Sequence, residues 1–289
     1  MVGGSNPPAA TIRVGAWPSE SDVSGEAFDQ PLSPLQRKLF ICSSPRTGSY
    51  LLCRAMVNHG IGIPHEYFNT RHIEAIGPRW GISELAAPER LRAEGDLRRR
   101  YIAALLQRRT HNGIFAAKLQ GWEYTAYLDN PDGTGMFEGG CFIHLHRHDL
   151  LGQAISLRIS QLTGRWGNDG AITTPPADNP NFFDNDQIVR IAKGIAQEDA
   201  MWRLFFVQNG ILPLTIAYEE LAASIGETVR RIVHAFALDL PVRDFAYAEP
   251  RPPRAPAAEE PSRSAIRENF LRAHRRFTPA ALATCAEQR

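Results

Sequence analysis

Arginine, glycine and hydroxyl side chains lie together in a short stretch between a predicted strand and a predicted helix. Residues 39–42 are an apolar run typical of a buried strand, and residues 50–57 predict a helix. A helix that begins directly after a strand directs its first N–H groups beyond the sheet, where they can bind an anion. An ordinary turn capped by a serine is the alternative interpretation. The stretch contains Arg46, Thr47, Gly48 and Ser49.

A second arginine follows another predicted strand, at residues 141–146. Arg147 is expected at the carboxyl end of that strand, where open α/β sheets bind their ligands. Gln153 and Ser156 lie three residues apart in the following helix and therefore share a face. An arginine near a hydroxyl group suits a phosphate monoester. A surface arginine after a strand would also fit the pattern.

The first stretch differs from the phosphate loop of kinases and NTPases. It lacks the GxxxxGK[ST] sequence, so no lysine is placed to grip a β/γ-phosphate and no hydroxyl follows it to hold Mg²⁺. His144, His146 and His148 alternate and could share one face of a strand as metal ligands. No matching carboxylate or cysteine is evident beside them, so we expect no metal site.

The remaining elements alternate between strands and helices. This alternation predicts an α/β fold with a central parallel sheet and helices on both faces. Further strands are predicted at residues 114–119 and 212–217, and further helices at residues 96–109, 150–162, 187–208, 227–238 and 264–276.

Composition changes along the chain predict its organisation. Residues 1–36 are rich in Gly, Ser and Pro and predict a disordered arm before one domain at residues 37–289. Residues 164–185 predict a long loop that forms either a lid or the rim of the substrate site. Residues 250–261, rich in Pro and Ala, predict a connector before the last helix.

Charge and hydropathy exclude several classes of partner. The 289 residues carry a formal net charge of +1, which gives no reason to expect nucleic acid or an anionic membrane as partner. No apolar run approaches the ~20 residues of a membrane helix. Cys42, Cys53 and Cys141 lie in apolar patterns without a CxxC pair. We therefore expect reduced thiols and a cytoplasmic protein.

Both arginine-containing stretches resemble motifs of the bacterial trehalose sulfotransferase-like family. Residues 44–52 (SPRTGSYLL) are similar to its 5′-phosphosulfate loop, and residues 144–149 (HLHRHD) with 153–156 (QAIS) to its 3′-phosphate motif. Thr47 and Tyr50 stand where the family usually has serine and threonine. The likeness continues in order at residues 64–68 (PHEYF), 117–119 (AKL), 196–198 (AQE) with Trp202, and 217–221 (AYEEL).

The resemblance implies a sulfotransferase with a P-loop-like fold. Its donor would be 3′-phosphoadenosine 5′-phosphosulfate (PAPS), its product 3′-phosphoadenosine 5′-phosphate (PAP), and its acceptor a hydroxyl of a carbohydrate or glycolipid. A homodimer is also implied. The alternatives are an ATP-dependent phosphotransferase of P-loop type and a non-catalytic nucleotide-binding protein. The residues assigned to the donor are Arg46, Thr47, Gly48, Ser49, Tyr50, Arg147, Gln153, Ser156 and Tyr218.

The same resemblance assigns the catalytic groups. Glu66 matches the family's base, and we expect burial beside Tyr67 and Phe68 to raise its pKa. A solvated loop glutamate is the alternative interpretation of Glu66, and a histidine near the acceptor is an alternative base. Lys118 would neutralise charge on the leaving group or orient the acceptor. Trp166 is a candidate for stacking on a sugar ring or for ordinary packing.

Overall fold

The computed structural model describes residues 23–166, 179–240 and 261–274. Most of the predicted arm, the centre of the predicted 164–185 loop, nearly all of the 250–261 connector and the end of the last predicted helix lie outside these ranges. The described residues form two compact units. The first falls in Met1–His148 and Gln197–Glu249, and the second in Asp149–Ala196 and Pro250–Arg289.

Five strands and eleven α-helical segments are present in the described ranges. The strands are β1 (Arg37–Ser43), β2 (Thr110–His111), β3 (Ile114–Leu119), β4 (Gly140–His146) and β5 (Leu214–Ala217). The helices are α1 (Ser49–Asn58), α2 (Thr70–Ile76), α3 (Arg90–Ala93), α4 (Gly95–Arg108), α5 (Gly121–Glu123), α6 (Pro131–Thr134), α7 (Leu150–Thr163), α8 (Asn185–Gln208), α9 (Tyr218–Ala223), α10 (Ile225–Ala235) and α11 (Arg263–His274).

The strands form one sheet in the first unit, with the order β2-β3-β1-β4-β5. β1 runs parallel to β3 and β4, and β4 runs parallel to β5. The two-residue β2 pairs antiparallel with β3 and was not predicted, because a strand so short leaves no periodic pattern. The prediction of an α/β fold is confirmed, with a sheet that is mostly rather than wholly parallel.

Alternate residues of β1 pack on opposite faces of the sheet. Phe40 packs with Phe142 and with side chains of α2, α4 and α8. Leu39 and Ile41 pack on the other face with side chains of α1 and α10. Both clusters are buried, so helices cover both faces of the sheet, as predicted.

Most predicted helices lie within a few residues of the observed ones. α7 begins after its N-cap Asp149, whose side chain accepts a hydrogen bond from the Gly152 N–H at 3.0 Å. α2 was not predicted. It has only seven residues, and Asn69 caps it by accepting from the Arg71 N–H. α9 was also missed, since it starts directly where β5 ends.

Residues 23–36, the described part of the predicted arm, belong to the first unit and pack on its other residues. The buried Arg109 donates to the carbonyl oxygen of Val23 at 2.7 Å and pairs with Asp29 at 2.9 Å. Val23 and Phe28 are themselves buried. These contacts attach the segment to the sheet-bearing unit, and the domain boundary at residue 37 stays a prediction.

The second unit is helical. Ile155 of α7, Ile188 of α8 and Ile266 of α11 are buried in one apolar cluster. Arg267 of α11 donates two hydrogen bonds, of 2.9 and 3.0 Å, to the carboxylate of Asp149. The C-terminal helix therefore contacts the N-cap of α7 directly.

The predictions about membrane helices and about cysteine thiols can be compared with the described residues. No helix in them is long and apolar enough to cross a membrane. Cys42, Cys53 and Cys141 form no disulfide bond with one another, and the first two are buried.

Candidate active site

The loop between β1 and α1 has a strained backbone. Arg46 has a φ of 67° and Gly48 a φ of 77°, both in the left-handed region, which a residue with a side chain seldom adopts. The Thr47 side chain is fully buried, and its hydroxyl donates to the carbonyl oxygen of Ser44 at 3.1 Å. Thr47 therefore stabilises the loop with its hydroxyl group, and its contact with the donor stays a prediction. Gly48 is the N-cap of α1 and places the first N–H groups of that helix beyond the sheet edge.

Three predicted donor-binding residues meet at this edge. Tyr218 begins α9 directly after β5, and a Cβ added to Gly48 would lie 2.7 Å from its ring carbon Cδ2. Arg147 directly follows β4, and its guanidinium carbon lies 4.5 Å from the centroid of the Tyr218 ring. Because β1, β4 and β5 are neighbours and parallel, their carboxyl ends bring these residues together. Tyr218 lies against both the loop and Arg147.

Gln153 and Ser156 belong to the second unit. Both lie on α7 and are buried, at 1% and 3% exposure. They share a helix face as predicted. Their contact with a phosphate stays a prediction.

Glu66 and Lys118 form a buried ion pair. Glu66 is 5% exposed and Lys118 is 3% exposed, and the Lys118 ammonium donates to Glu66 Oε1. The Lys118 backbone N–H also donates to the carbonyl oxygen of His65 at 3.0 Å, which attaches the Glu66 loop to the end of β3. Gln120 Nε2 donates to Glu66 Oε1, and Asn69 Nδ2 donates to Oε2 at 3.2 Å. Glu66 is therefore a held carboxylate rather than a solvated loop residue.

The expected rise in the Glu66 pKa is wrong in sign. Burial does act to raise it, but the Lys118 charge and the hydrogen bonds from Lys118 and Gln120 outweigh burial. The pKa of Glu66 consequently lies below its ordinary value. Its carboxylate is ionised at neutral pH and able to accept a proton.

Tyr50 links this pair to the loop between β1 and α1 (residues 44–48), which we call the anion loop. The Lys118 ammonium lies 4.3 Å from the centroid of the Tyr50 ring, within cation–π range. Tyr50 is the second residue of α1, immediately after the loop. The two predicted catalytic residues are thus adjacent to the N-terminus of the helix predicted to bind the donor.

The family model of the Stf0 sulphotransferases matches residues 38–263, which is most of the chain. The chain belongs to the Stf0 sulphotransferase family. The match includes the anion loop, the Glu66–Lys118 pair, Arg147 and Tyr218. It confirms the family expected from the sequence motifs.

Two curated relatives are named trehalose 2-sulfotransferase. The protein from Mycobacterium tuberculosis (strain ATCC 35801 / TMC 107 / Erdman) is 24% identical over 249 residues. The match covers 72% of this chain and 87% of the relative. The protein from Mycolicibacterium smegmatis (strain ATCC 700084 / mc(2)155) is 24% identical over 229 residues. The match covers 69% of this chain and 84% of the relative. The family likeness therefore extends through most of both chains.

Several polar residues of the site were missed from the sequence. Glu123 is fully buried, and its Oε2 accepts from the Gln120 N–H at 2.9 Å. Burial, followed by the nearby Glu66 charge, raises its pKa well above the ordinary value. Glu198 accepts a hydrogen bond from the Gly121 N–H, and burial raises its pKa to about 7. Glu198 lies in residues 196–198 (AQE), one of the stretches that resemble the family. Gln120 lies in none of these stretches, so no sequence motif pointed to it.

His144 and His146 share one face of β4, and His148 follows two residues after the strand ends. Ring centroids of His144 and His146 are 5.6 Å apart, and those of His146 and His148 are 5.0 Å apart. His144 Nε2 hydrogen-bonds Asp199 Oδ1 at 2.9 Å. In the described ranges, no group of three or more histidine, cysteine or acidic residues is arranged to hold a metal ion.

Trp166 lies in the second unit and is 44% exposed. Its predicted stacking on a sugar stays a prediction.

Proposed function

We propose that this chain transfers the sulfuryl group of PAPS to a hydroxyl of a carbohydrate or glycolipid, with Glu66 as the general base. The observation that carries the proposal is the buried Glu66–Lys118 pair beside the N-terminus of α1. A base, a cation and an anion-binding helix start are the three groups that sulfuryl transfer requires.

The residues of the anion loop fit the donor. The left-handed Gly48 lets a ligand approach the backbone closely, and the N–H groups of residues 47–49 would hold the 5′-phosphosulfate with Arg46. Arg147 would hold the 3′-phosphate, with Gln153 and Ser156 contributing from α7. Tyr218 would lie against the adenine. The proposed arrangement would be P-loop-like in position, although the sequence lacks the Walker lysine.

The chemistry assigned to Glu66 balances in one step. The acceptor oxygen forms a bond to the donor sulfur while the bond from sulfur to the 5′-phosphate oxygen breaks. The electron pair of that bond stays on PAP, and the acceptor proton passes to Glu66. Lys118 either neutralises the leaving phosphate oxygen or orients the acceptor. Its contact with Glu66 fits the second role, and its position beside Tyr50 at the start of α1 fits the first.

The other functions are less well supported. An ATP-dependent phosphotransferase would need the missing lysine and a site for Mg²⁺. A non-catalytic nucleotide-binding protein has no use for a carboxylate held by three side-chain donors, from Lys118, Gln120 and Asn69. The cytoplasm and a homodimer stay predictions from the cysteines and the resemblance.

Thermal unfolding with PAP, ATP or ADP, with and without Mg²⁺, tests the donor assignment. A ligand at 100 times its Kd that binds only the folded chain stabilises it by about 2.7 kcal/mol. We expect PAP to raise the Tm without metal and ATP to have little effect. Stabilisation by ATP with Mg²⁺ alone would overturn the assignment.

Mass spectrometry of an incubation with PAPS and trehalose, glucose or a glycolipid tests the reaction. Addition of one sulfuryl group to any of these acceptors, abolished in Glu66→Gln, supports the proposal. Binding of PAP without sulfation of any acceptor class would favour the non-catalytic alternative.

A further inference from the structure

An exposed tryptophan lies beside the candidate base. Trp122, in the short helix α5, is 40% exposed. Its indole N–H donates to the side-chain oxygen of Gln120 at 3.0 Å. The Gln120 amide nitrogen in turn donates to Glu66 Oε1. One amide group therefore joins the indole to the carboxylate.

The chemistry of the two partners fixes the orientation of this amide. An indole N–H can only donate, and an ionised carboxylate can only accept. Gln120 must therefore present its oxygen to Trp122 and its nitrogen to Glu66. Any movement of the indole edge away from Glu66 would break at least one of these hydrogen bonds.

The backbone that carries Trp122 is held on both sides. Glu123 accepts from the Gln120 N–H at 2.9 Å and Glu198 accepts from the Gly121 N–H. Gly121 also packs closely on α8, since a Cβ there would lie 2.6 Å from side-chain atoms of Glu198 and Met201. The exposed indole is therefore held in place, with two carboxyl groups binding the turn that carries it.

Exposure and rigidity together suit a ligand with one flat apolar face. A pyranose ring has a C–H face that an indole can bury and hydroxyl groups around its edge. The Glu198 carboxyl, with a pKa of about 7, can both donate and accept hydrogen bonds near neutral pH. A linear polyol has no comparable rigid face.

We propose that Trp122 is the platform on which a cyclic carbohydrate acceptor binds, so that a ring hydroxyl faces Glu66. This inference rests on the proposed function and narrows its acceptor to sugars in the ring form. Gln120 is then a positioning residue, since it acts through both Trp122 and Glu66.

Ligand-observed saturation-transfer NMR tests the platform without turnover. Trehalose and sorbitol serve as cyclic and linear probes, in the presence of PAP. The variants are Trp122→Ala and Trp122→Phe, with Leu212→Ala as a control that removes a 97% exposed side chain of the first unit. Each variant is also melted with and without PAP, which reports folding and donor binding.

We expect wild type and Leu212→Ala to saturate the ring C–H protons of trehalose more strongly than the protons of sorbitol. Trp122→Ala should lose the trehalose signal, and Trp122→Phe should retain part of it because an aromatic face remains. Where trehalose is sulfated, its KM should rise about tenfold in Trp122→Ala with the KM for PAPS unchanged.

Three results would overturn the inference while PAP still raises the Tm: equal signals in Trp122→Ala and wild type, equal signals for sorbitol and trehalose, or no signal from wild type. Absence of the PAP shift in wild type would instead overturn the proposed function. The two failures are thus distinguishable.

Discussion

The ammonium of Lys118 and the carboxylate of Glu66 are each other's counterion, although the two residues are 52 positions apart in the sequence. Both residues are nearly inaccessible, Lys118 at 3% and Glu66 at 5% exposure. Removing one partner of a buried pair leaves a charge that water cannot solvate, and this usually costs more than the pair itself contributes. Substitutions at either position therefore affect both chemistry and stability.

Replacement of Glu66 by glutamine should separate binding from turnover. Glu66→Gln keeps the side-chain shape but removes the proton acceptor, so the rate of sulfuryl transfer should fall about 10²- to 10⁴-fold. The free energy of unfolding should fall by up to about 3–5 kcal/mol, because Lys118 loses its carboxylate partner. PAP should still raise the Tm. Glu74→Gln, at an exposed glutamate, is the control, and equal rates in the two variants would exclude Glu66 as the base.

Replacement of Lys118 should change the pH dependence of activity. In Lys118→Met the charge that lowers the Glu66 pKa is gone, and burial then raises that pKa. Since the base must be ionised, the acidic limb of kcat/KM for the acceptor should move to higher pH. The pH profile measures this, with Lys193→Met as the control. A limb that stays in place would show that another group titrates.

Alanine substitutions at two glycines with similar backbone angles distinguish the cost of backbone strain from the effect of a new side-chain contact in the anion loop. Gly48 and Gly81 have φ values of 77° and 79°. A Cβ added to Gly48 would meet the Tyr218 ring, whereas a Cβ added to Gly81 would meet no described atom within 4 Å. Both alanine variants should lose about 1–2 kcal/mol of stability from the left-handed backbone. Gly48→Ala should also weaken PAP binding, measured calorimetrically, whereas Gly81→Ala should not. Equal PAP affinities would remove Gly48 from the donor site.

Arg147 should distinguish PAP from adenosine 5′-phosphate, which lacks the 3′-phosphate. Arg147→Ala should lose about 1.5–3 kcal/mol of PAP binding, the range for hydrogen bonds to charged groups. Affinity for adenosine 5′-phosphate should hardly change. Titration of both nucleotides gives the ratio, with Arg230→Ala, at an exposed arginine of α10, as the control. A parallel loss for both nucleotides would assign Arg147 to another part of the ligand.

The meeting of the proposed donor residues at one sheet edge could be predicted because these residues directly follow strands. Gly48, Arg147 and Tyr218 each come within a few residues of a strand end, and parallel strands bring their carboxyl ends to one edge. The strands themselves were visible as apolar runs. No knowledge of side-chain packing was needed.

The acceptor side could not be predicted in the same way. The contact between Glu198 and Gly121 depends on how α8 packs on the turn after β3, which no local pattern encodes. The sign of the Glu66 pKa shift depends on the position of Lys118, and burial alone gave the opposite answer. Gln120 has a neutral side chain, and its importance comes only from its two hydrogen-bond partners.

The bond between Arg267 and Asp149 constrains when the protein can finish folding. The two residues are 118 positions apart, and the second unit draws its helices from both sides of a segment that belongs to the first. During synthesis α7 must therefore wait for almost the whole chain before α11 can pack against it. Contacts of such long range slow folding, because the intervening loop must be closed before they form. A chain truncated before α11 should therefore leave an apolar surface of α7 exposed to chaperones and proteases.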